Sequence, residues 1–321
     1  MTVLTILNAP GTEIPDLLTD LGDRDGIELR IAEAETLSRA LPGTDVLLMW
    51  DFFSTALRDA YASADRLTWV HAAAAGVDSL LFDELVDSPV TVTNARGTFD
   101  RPIAEFVLNY ILMHAKSSIG SLADQREQKW NRRSTRDVAG SKAMIVGTGA
   151  IGREVARLLK AVDIEVTGAG SHARGGDADF GDVIDSSTLA DHVGGYDWVI
   201  DIAPLTERTD RLIGSEVFAA MDDTAVFINV GRGDTVDTDA LVAALRGKEI
   251  AGAGLDVFDE EPLPADHPLW GFDDVIITPH MSGDTRGWRM RLAEQFHRLF
   301  ERYLAGEEFP HTVDKKLGYV R

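Results

Sequence analysis

Ala143-Met-Ile-Val-Gly147-Thr-Gly149-Ala150-Ile151-Gly152-Arg-Glu-Val-Ala-Arg-Leu-Leu159 decides the fold. Four apolar residues run straight into Gly147, the pattern of a strand buried in a parallel sheet. Val155, Leu158 and Leu159 then recur at helical spacing, with Ile151 and Ala156 beside them. Strand, tight glycine turn and helix follow one another without a break. The first backbone N–H groups of such a helix, and the positive end of its dipole, suit a pyrophosphate. Gly147 permits the turn, Gly149 lets the backbone approach the phosphates, and Gly152 lets helix and strand pack closely. The flanking strand and helix give the glycine spacing the context that a dinucleotide site requires.

The chain on either side is 321 residues long, enough for about two domains, and 45% of it is hydrophobic. No window approaches the ~20 continuous apolar residues of a membrane helix. The N-terminus, Met-Thr-Val-Leu-Thr-Ile-Leu, has no basic region and reads as a first strand rather than a signal peptide. Cysteine is absent, which excludes disulfides, thiolate metal sites and Cys nucleophiles. A cytoplasmic location is the default expectation. With 53 acidic against 31 basic residues the net charge is −22, which argues against nucleic acid as a partner. Only seven of the basic residues are lysines. An acidic, arginine-preferring composition accounts for this; adaptation to salt is the sharper alternative.

Upstream of the glycine turn, strands are expected at residues 3–7, 27–31, 45–50, 68–71 and 90–93, with a helix from about Glu13 to Leu21. Strands alternating with helical patterns imply a parallel sheet covered on both faces. From Arg101 to His114 the chain is apolar nearly all round, and Pro102 suits a first helical turn. A helix of that kind is buried, either in a core or, as favoured here, in a subunit interface. Residues 121–138 are polar and read as an exposed connection anchored by Trp130. Downstream, strands are expected at 164–168, 198–202, 225–230, 250–255 and 275–278. Helices are expected at 187–192, 215–221, 238–246 and 287–304, and the tail could return to the first domain.

Three downstream segments carry chemistry. In Phe227-Ile-Asn-Val230-Gly231-Arg232-Gly233 a strand ends with an arginine between two glycines. Ligands bind at that edge of an open α/β sheet, and the arginine fork matches a carboxylate bidentately. In Leu255-Asp256-Val-Phe-Asp259-Glu260-Glu261-Pro262, Glu261 is the carboxylate expected to turn inward, and Asp256 either contacts a cofactor or caps a turn. In Val275-Ile-Ile-Thr-Pro279-His280, a histidine follows a buried strand and a proline. A His280–Glu261 pair would favour the protonated imidazole, making His280 a general acid and, in reverse, a base.

With Gly147-Thr-Gly-Ala-Ile-Gly152 and Pro204-Leu-Thr-Glu-Arg-Thr209, these segments resemble the D-isomer-specific 2-hydroxyacid dehydrogenase family over nearly the whole chain. The resemblance implies two doubly wound parallel-sheet domains of α/β class. Residues 100–284 would be a Rossmann dinucleotide-binding domain. Residues 1–99 and 285–321 would be a discontinuous, flavodoxin-like substrate domain, with the active site in the cleft. It implies a catalytic trio of Arg232, Glu261 and His280, and assigns the loop Ala72–Val77, with Ala75 and Gly76, to the substrate carboxylate beside Arg232. Cofactor contacts are expected from Gly147, Gly149, Ala150, Ile151, Gly152, Ser171, Arg174, Pro204, Thr209, Val230 and Asp256. A homodimer through the region of residues 101–119 is also implied.

The expected reaction is NAD(P)H-dependent reduction of a 2-keto acid to the D-2-hydroxy acid, on glyoxylate, hydroxypyruvate or something larger; no metal is required. Trp50, Phe52, Phe53, Leu80, Met281 and Trp288 could line a side-chain pocket or belong to the core. The second strand of the glycine-motif domain ends at Gly170 rather than at the acid that binds ribose hydroxyls in many NAD-preferring members. Ser171, His172 and Arg174 offer a hydroxyl and positive charge, so NADP(H) is favoured over NAD(H). The alternative is a non-catalytic NAD(P)H-sensing protein on the same scaffold.

Overall fold

The computed structural model describes residues 1–320. It forms two compact units, Met1–Phe99 together with the segment from Arg286 onward, and Asp100–Thr285.

In the first unit, β1 (Thr2–Leu7), β2 (Ile27–Ala32), β3 (Val46–Met49), β4 (Trp69–Ala72) and β5 (Thr91–Asn94) make one parallel sheet in the order β2-β1-β3-β4-β5. This is the flavodoxin-like order. β3 and β4 are buried along their whole length; β3 is apolar throughout, and β4 carries His71 among its apolar residues. Four short helices connect the strands: α1 (Asp16–Thr19), α2 (Leu37–Ala40), α3 (Ala56–Ala60) and α4 (Asp83–Val86). The helix expected from Glu13 to Leu21 is shorter: α1 gives way to a 3-10 turn at Asp20–Asp23.

The chain returns to this unit as α11 (Trp288–Leu304). Trp69 of β4 is fully buried under it, with ring centroids 5.3 Å from Phe296 and 5.4 Å from Tyr303. Phe296 also lies 5.5 Å from His71. Along β4 from Trp69 to His71, α11 is therefore met from Tyr303 back to Phe296. The helix runs antiparallel to the strand, and its N-terminus reaches the carboxyl edge of the sheet. Burial holds the His71 imidazole down to about 3, so it is neutral; its Nδ1 shares a 2.7 Å hydrogen bond with Thr93 Oγ1.

The second unit opens with α5 (Asp100–Ala115) and α6 (Ser118–Arg126). Its strands are β6 (Lys142–Val146), β7 (Glu165–Gly170), β8 (Arg174–Asp177), β9 (Gly181–Asp185), β10 (Trp198–Asp201), β11 (Val226–Asn229), β12 (Gly252–Leu255) and β13 (Val275–Ile277). They lie in the order β13-β12-β11-β10-β6-β7-β9-β8. From β9 to β12 this is the doubly wound dinucleotide-binding order, with the reversal between β6 and β10. Helices α7 (Ala150–Lys160), α8 (Leu189–His192), α9 (Ser215–Ala220) and α10 (Thr238–Gly247) complete the unit.

Two features depart from the sequence reading. β8 pairs antiparallel with β9, so this sheet is mixed rather than parallel throughout. The hairpin is glycine-rich; Phe180 and Val183 are buried, and charge fastens the rest. Arg153 of α7 bonds Asp177 at 2.8 Å and Asp179 at 2.9 Å, and Arg157 bonds Asp179 at 2.7 Å. The Arg153 guanidinium holds the Asp177 carboxyl well below the ordinary range. The second departure is the expected polar connection at 121–138, whose first part belongs to α6. Trp130 anchors nothing in the chain, being 97% exposed.

α5 buries Ile103, Val107, Tyr110 and Ile111 and packs against α7. That face is intramolecular core, whereas Leu112 is exposed. No helix among the described residues is long and apolar enough to cross a membrane.

Candidate active site

The glycine turn after β6 has the geometry that its sequence implies. Gly147 has φ +107°, and a Cβ there would meet the Ile202 carbonyl carbon at 2.7 Å. A Cβ on Gly152 would lie 2.0 Å from Gly147 O, so helix and turn touch. Nothing lies within 4 Å of a Cβ built on Gly149. Ala150 and Ile151 precede the bond from Arg153 N–H to Gly149 O at 3.0 Å in the first turn of α7. An open glycine followed by leading helical N–H groups fits a dinucleotide pyrophosphate.

Arg232 follows β11 in a loop that is fixed from both sides. Asn229 accepts from Gly231 N–H through Oδ1 and donates to Arg232 O through Nδ2, both at 2.9 Å. Gly233 packs so tightly that a Cβ would lie 1.8 Å from the Phe258 carbonyl carbon. No side chain fits there, and the Arg232 loop is thereby brought onto the segment that carries Glu261.

Glu261 Oε1 accepts the Phe258 N–H at 2.9 Å, and its Oε2 lies 2.8 Å from His280 Nδ1. Partial burial pushes the Glu261 carboxyl up. The His280 and Phe258 hydrogen bonds, with the charges of His280 and Arg232, outweigh that and leave it below its ordinary value. Arg232, Glu261 and His280 therefore come together, although 48 residues separate the first from the last.

His280 has φ +50°, an unusual conformation for a residue with a side chain. Asp256 holds it there. Its carboxylate is fully buried and accepts from Met281 N–H at 3.0 Å, Ser282 N–H at 2.8 Å and the Thr278 hydroxyl at 2.5 Å, while its backbone carbonyl accepts the His280 N–H at 2.7 Å. Of the two roles open to Asp256, capping is the one the structure displays. Its place among the expected cofactor contacts is a separate role that these bonds neither require nor oppose. Tyr110 of α5 closes the chain with a 2.5 Å bond to Thr278 Oγ1. Asn229, Gly233 and Tyr110 were not singled out from the sequence. Two of them flank Arg232 within its own motif, but nothing local marks Tyr110.

The other cofactor candidates stand around the same sheet edge. Arg174 reaches the Thr148 hydroxyl at 3.1 Å and Asp177 at 3.0 Å, beside Gly170 at the end of β7. Ser171 is exposed, and its carbonyl accepts from Arg208 at 3.3 Å. Arg208, inside the quoted 204–209 motif, was not foreseen as part of this rim. Thr209 accepts from Thr206 N–H at 2.8 Å and donates to Pro204 O at 2.6 Å, stapling the turn after β10. Val230 is buried, with its N–H on Asp201 O at 3.0 Å. Burial pushes the Asp201 carboxyl up to about 6, although the Thr235 hydroxyl and Ala203 N–H donate to it.

In the first unit, the loop holding Ala75 and Gly76 leaves the carboxyl end of β4. It is pinned by Ala73 N–H to Met49 O at 3.1 Å, Ala95 N–H to Ala74 O at 2.8 Å and Asn94 Nδ2 to Ala75 O at 2.5 Å. Trp50 and Leu80, weighed as pocket residues, are core at 4% and 3% exposure. A groove of about 560 Å³ in this unit is lined by Glu35, Phe53, Ser54 and Asp59 among others, and none of the residues assigned to chemistry borders it.

Residues 108–282 match the model of the D-isomer specific 2-hydroxyacid dehydrogenase NAD binding domain. The chain belongs to this family. A glyoxylate reductase from Thermofilum pendens is 33% identical over 301 residues, covering 89% of this chain and 86% of its own. Among solved structures, an NADPH-dependent glyoxylate/hydroxypyruvate reductase from Sinorhizobium meliloti, in complex with NADP and sulfate, superposes with TM-score 0.84. It has 25% identity over 99% of this chain and 100% of its own. A D-isomer specific 2-hydroxyacid dehydrogenase from Xanthobacter autotrophicus, in complex with NADPH and MES, gives TM-score 0.81 and 30% identity over 99% of each chain. The protein is thus an oxidoreductase that reduces 2-keto acids with NAD(P)H.

The dehydrogenase's Glu261–His280 pair yields a pH test. A carboxyl held below its ordinary value adds stability above that value and loses it as the pH falls through the lowered one. Glu261→Gln is therefore less stable than the native protein near neutrality. The gap in melting temperature closes as the pH is taken below 4.5, the ordinary value for this group. Thermal unfolding of both proteins across that range checks it.

Proposed function

We propose that Arg232, Glu261 and His280 carry out the reduction, with the 2.8 Å Glu261–His280 bond beside the Arg232 charge as the supporting observation. The Arg232 fork binds the substrate carboxylate and polarises the adjacent carbonyl. Backbone N–H groups of Ala75 and Gly76 add donors to the carboxylate. His280 Nδ1 is committed to Glu261, so Nε2 carries the proton that passes to the developing alkoxide oxygen. Glu261 orients the ring through its 2.8 Å bond to Nδ1. When bound, the reduced nicotinamide supplies the hydride to the carbonyl carbon. In the oxidative direction His280 takes the hydroxyl proton back. The intact trio favours an enzyme over a sensor.

NADP(H) is the preferred cofactor in this reading. Gly170 leaves no acid to bind the ribose hydroxyls, and the Arg174 and Arg208 guanidinium groups beside the end of β7 supply positive charge for a 2′-phosphate. The pyrophosphate lies against Gly149, Ala150 and Ile151, with Pro204, Thr209 and Val230 along the same sheet edge. The protein acts as a homodimer through the region of residues 101–119; Leu112 there, and Leu122 and the 97% exposed Trp130 beyond it, are exposed apolar residues for a second copy to cover.

Following loss of reduced-nicotinamide absorbance with a panel of 2-keto acids tests the reaction. His280→Gln lowers kcat roughly 10²–10⁴-fold, the usual worth of a placed general acid; native-like turnover would remove His280 from the chemistry. NADPH supports a several-fold higher kcat/KM than NADH, and Arg174→Ala erodes that preference; equal use of NADH would refute it. Sedimentation equilibrium gives twice the 35.0 kDa chain mass, and Trp130→Ser shifts the population toward one copy.

A further inference from the structure

The carboxyl edge of the first sheet gathers aromatic rings from three separate parts of the chain. Beyond β3 the chain runs through Asp51 to half-buried Phe52 and exposed Phe53, whose rings lie 4.6 Å apart. Because α11 runs antiparallel to β4, its first residue, Trp288, arrives at this same edge. Its ring meets Phe52 edge-on, at 6.1 Å and 71°, and lies 6.2 Å from Phe99. The Arg289 guanidinium stands 4.9 Å from the Trp288 ring centroid. Three neighbours thus fix a tryptophan that is itself only partly buried.

The loop through Ala75 and Gly76 leaves the adjacent strand at the same edge and is bonded directly to this aromatic segment. Ser79 Oγ donates to Phe52 O at 3.2 Å, and Ala73 N–H donates to Met49 O at the end of β3. A 2-keto acid whose carboxylate lies on that loop has its side chain within reach of the Phe52–Trp288 wall. Ordered, half-buried rings beside a carboxylate loop suit an apolar group that removes them from water. Glyoxylate, with only hydrogen on its carbonyl carbon, has nothing to place there.

We propose that Phe52 and Trp288 line the side-chain subsite and select 2-keto acids with an aromatic group on C3. This rests on the 2-keto acid reductase reading and names its substrate class.

The test compares kcat/KM of the full-length protein for phenylpyruvate and glyoxylate at saturating reduced cofactor. Phenylpyruvate leads by roughly tenfold or more, the scale of discrimination an apolar subsite supplies. Phe52→Ala and, separately, Trp288→Leu each lower the phenylpyruvate-to-glyoxylate ratio roughly tenfold. The ratio is read only on variants whose melting temperature shows them folded, and Phe52→Tyr, which keeps the ring, restores it. Glyoxylate equal or ahead in the native protein, or a ratio untouched by Phe52→Ala, overturns the proposal and leaves the reductase reading standing. A preference for a 2-keto acid with a basic side chain overturns it as well and points to Asp51. No turnover of any 2-keto acid overturns the reductase reading and this proposal together.

Discussion

The buried carboxylate of Asp256 is the constraint from which the candidate site follows. Two backbone N–H groups and one hydroxyl converge on it, and the residue's own carbonyl takes the N–H of His280. A charge withdrawn from water is tolerated only when its hydrogen-bonding capacity is met this fully. The same bonds hold His280 at positive φ, a conformation its own side chain disfavours. Glu261 then fixes the ring from the side, and the close approach of Gly233 to Phe258 sets Arg232 on the same segment. The imidazole is thus oriented by one buried carboxylate through the backbone and by a second, partly exposed one through the ring.

Charge works at two ranges here. The chain as a whole carries −22, yet its substrate and cofactor are anions. At physiological ionic strength the screening length is about 8 Å, so remote carboxylates weigh little and nearby groups decide. In the proposed reading the nearby groups are arginines and helix N–H groups: Arg232 in its loop, the start of α7, and Arg174 with Arg208 at the rim of β7. Arginine also acts structurally, clamping the β8–β9 hairpin to α7 through Asp177 and Asp179. A planar fork that bonds two carboxylates at once does this better than an ammonium point charge.

Much of this was legible in the sequence, for identifiable reasons. The β6–α7 turn is encoded locally: the apolar run, the glycines and the helical period lie within one short stretch. Arg232, Glu261 and His280 could be read because each follows a strand of the second sheet, and strand ends meet at one sheet edge. Capping was one of two roles open to Asp256, but the loop at 278–282 that it caps could not be named because it is not among its sequence neighbours. Tyr110 was invisible for the same reason, being 168 positions from its partner Thr278. The β8–β9 hairpin escaped notice because apolar alternation announces a strand, and β8 is glycine and charge held by arginines of α7, while β9 has only Val183 and Ile184 as apolar residues. Phe52 and Trp288 read equally well as core until the direction of α11 placed them at the carboxyl edge.

The return of the chain to its first unit has a consequence for how the protein is made. β4 leaves the ribosome early, but the rings that cover Trp69 belong to residues 296–309, including Phe309 at 4.6 Å. The core of the first sheet cannot close until residues 296–309 have been added. The second unit, Asp100–Thr285, is continuous and complete before α11 exists. During synthesis the half of the molecule encoded first is therefore the half finished last. Its apolar strands must wait, exposed, while the dinucleotide-binding unit is being translated.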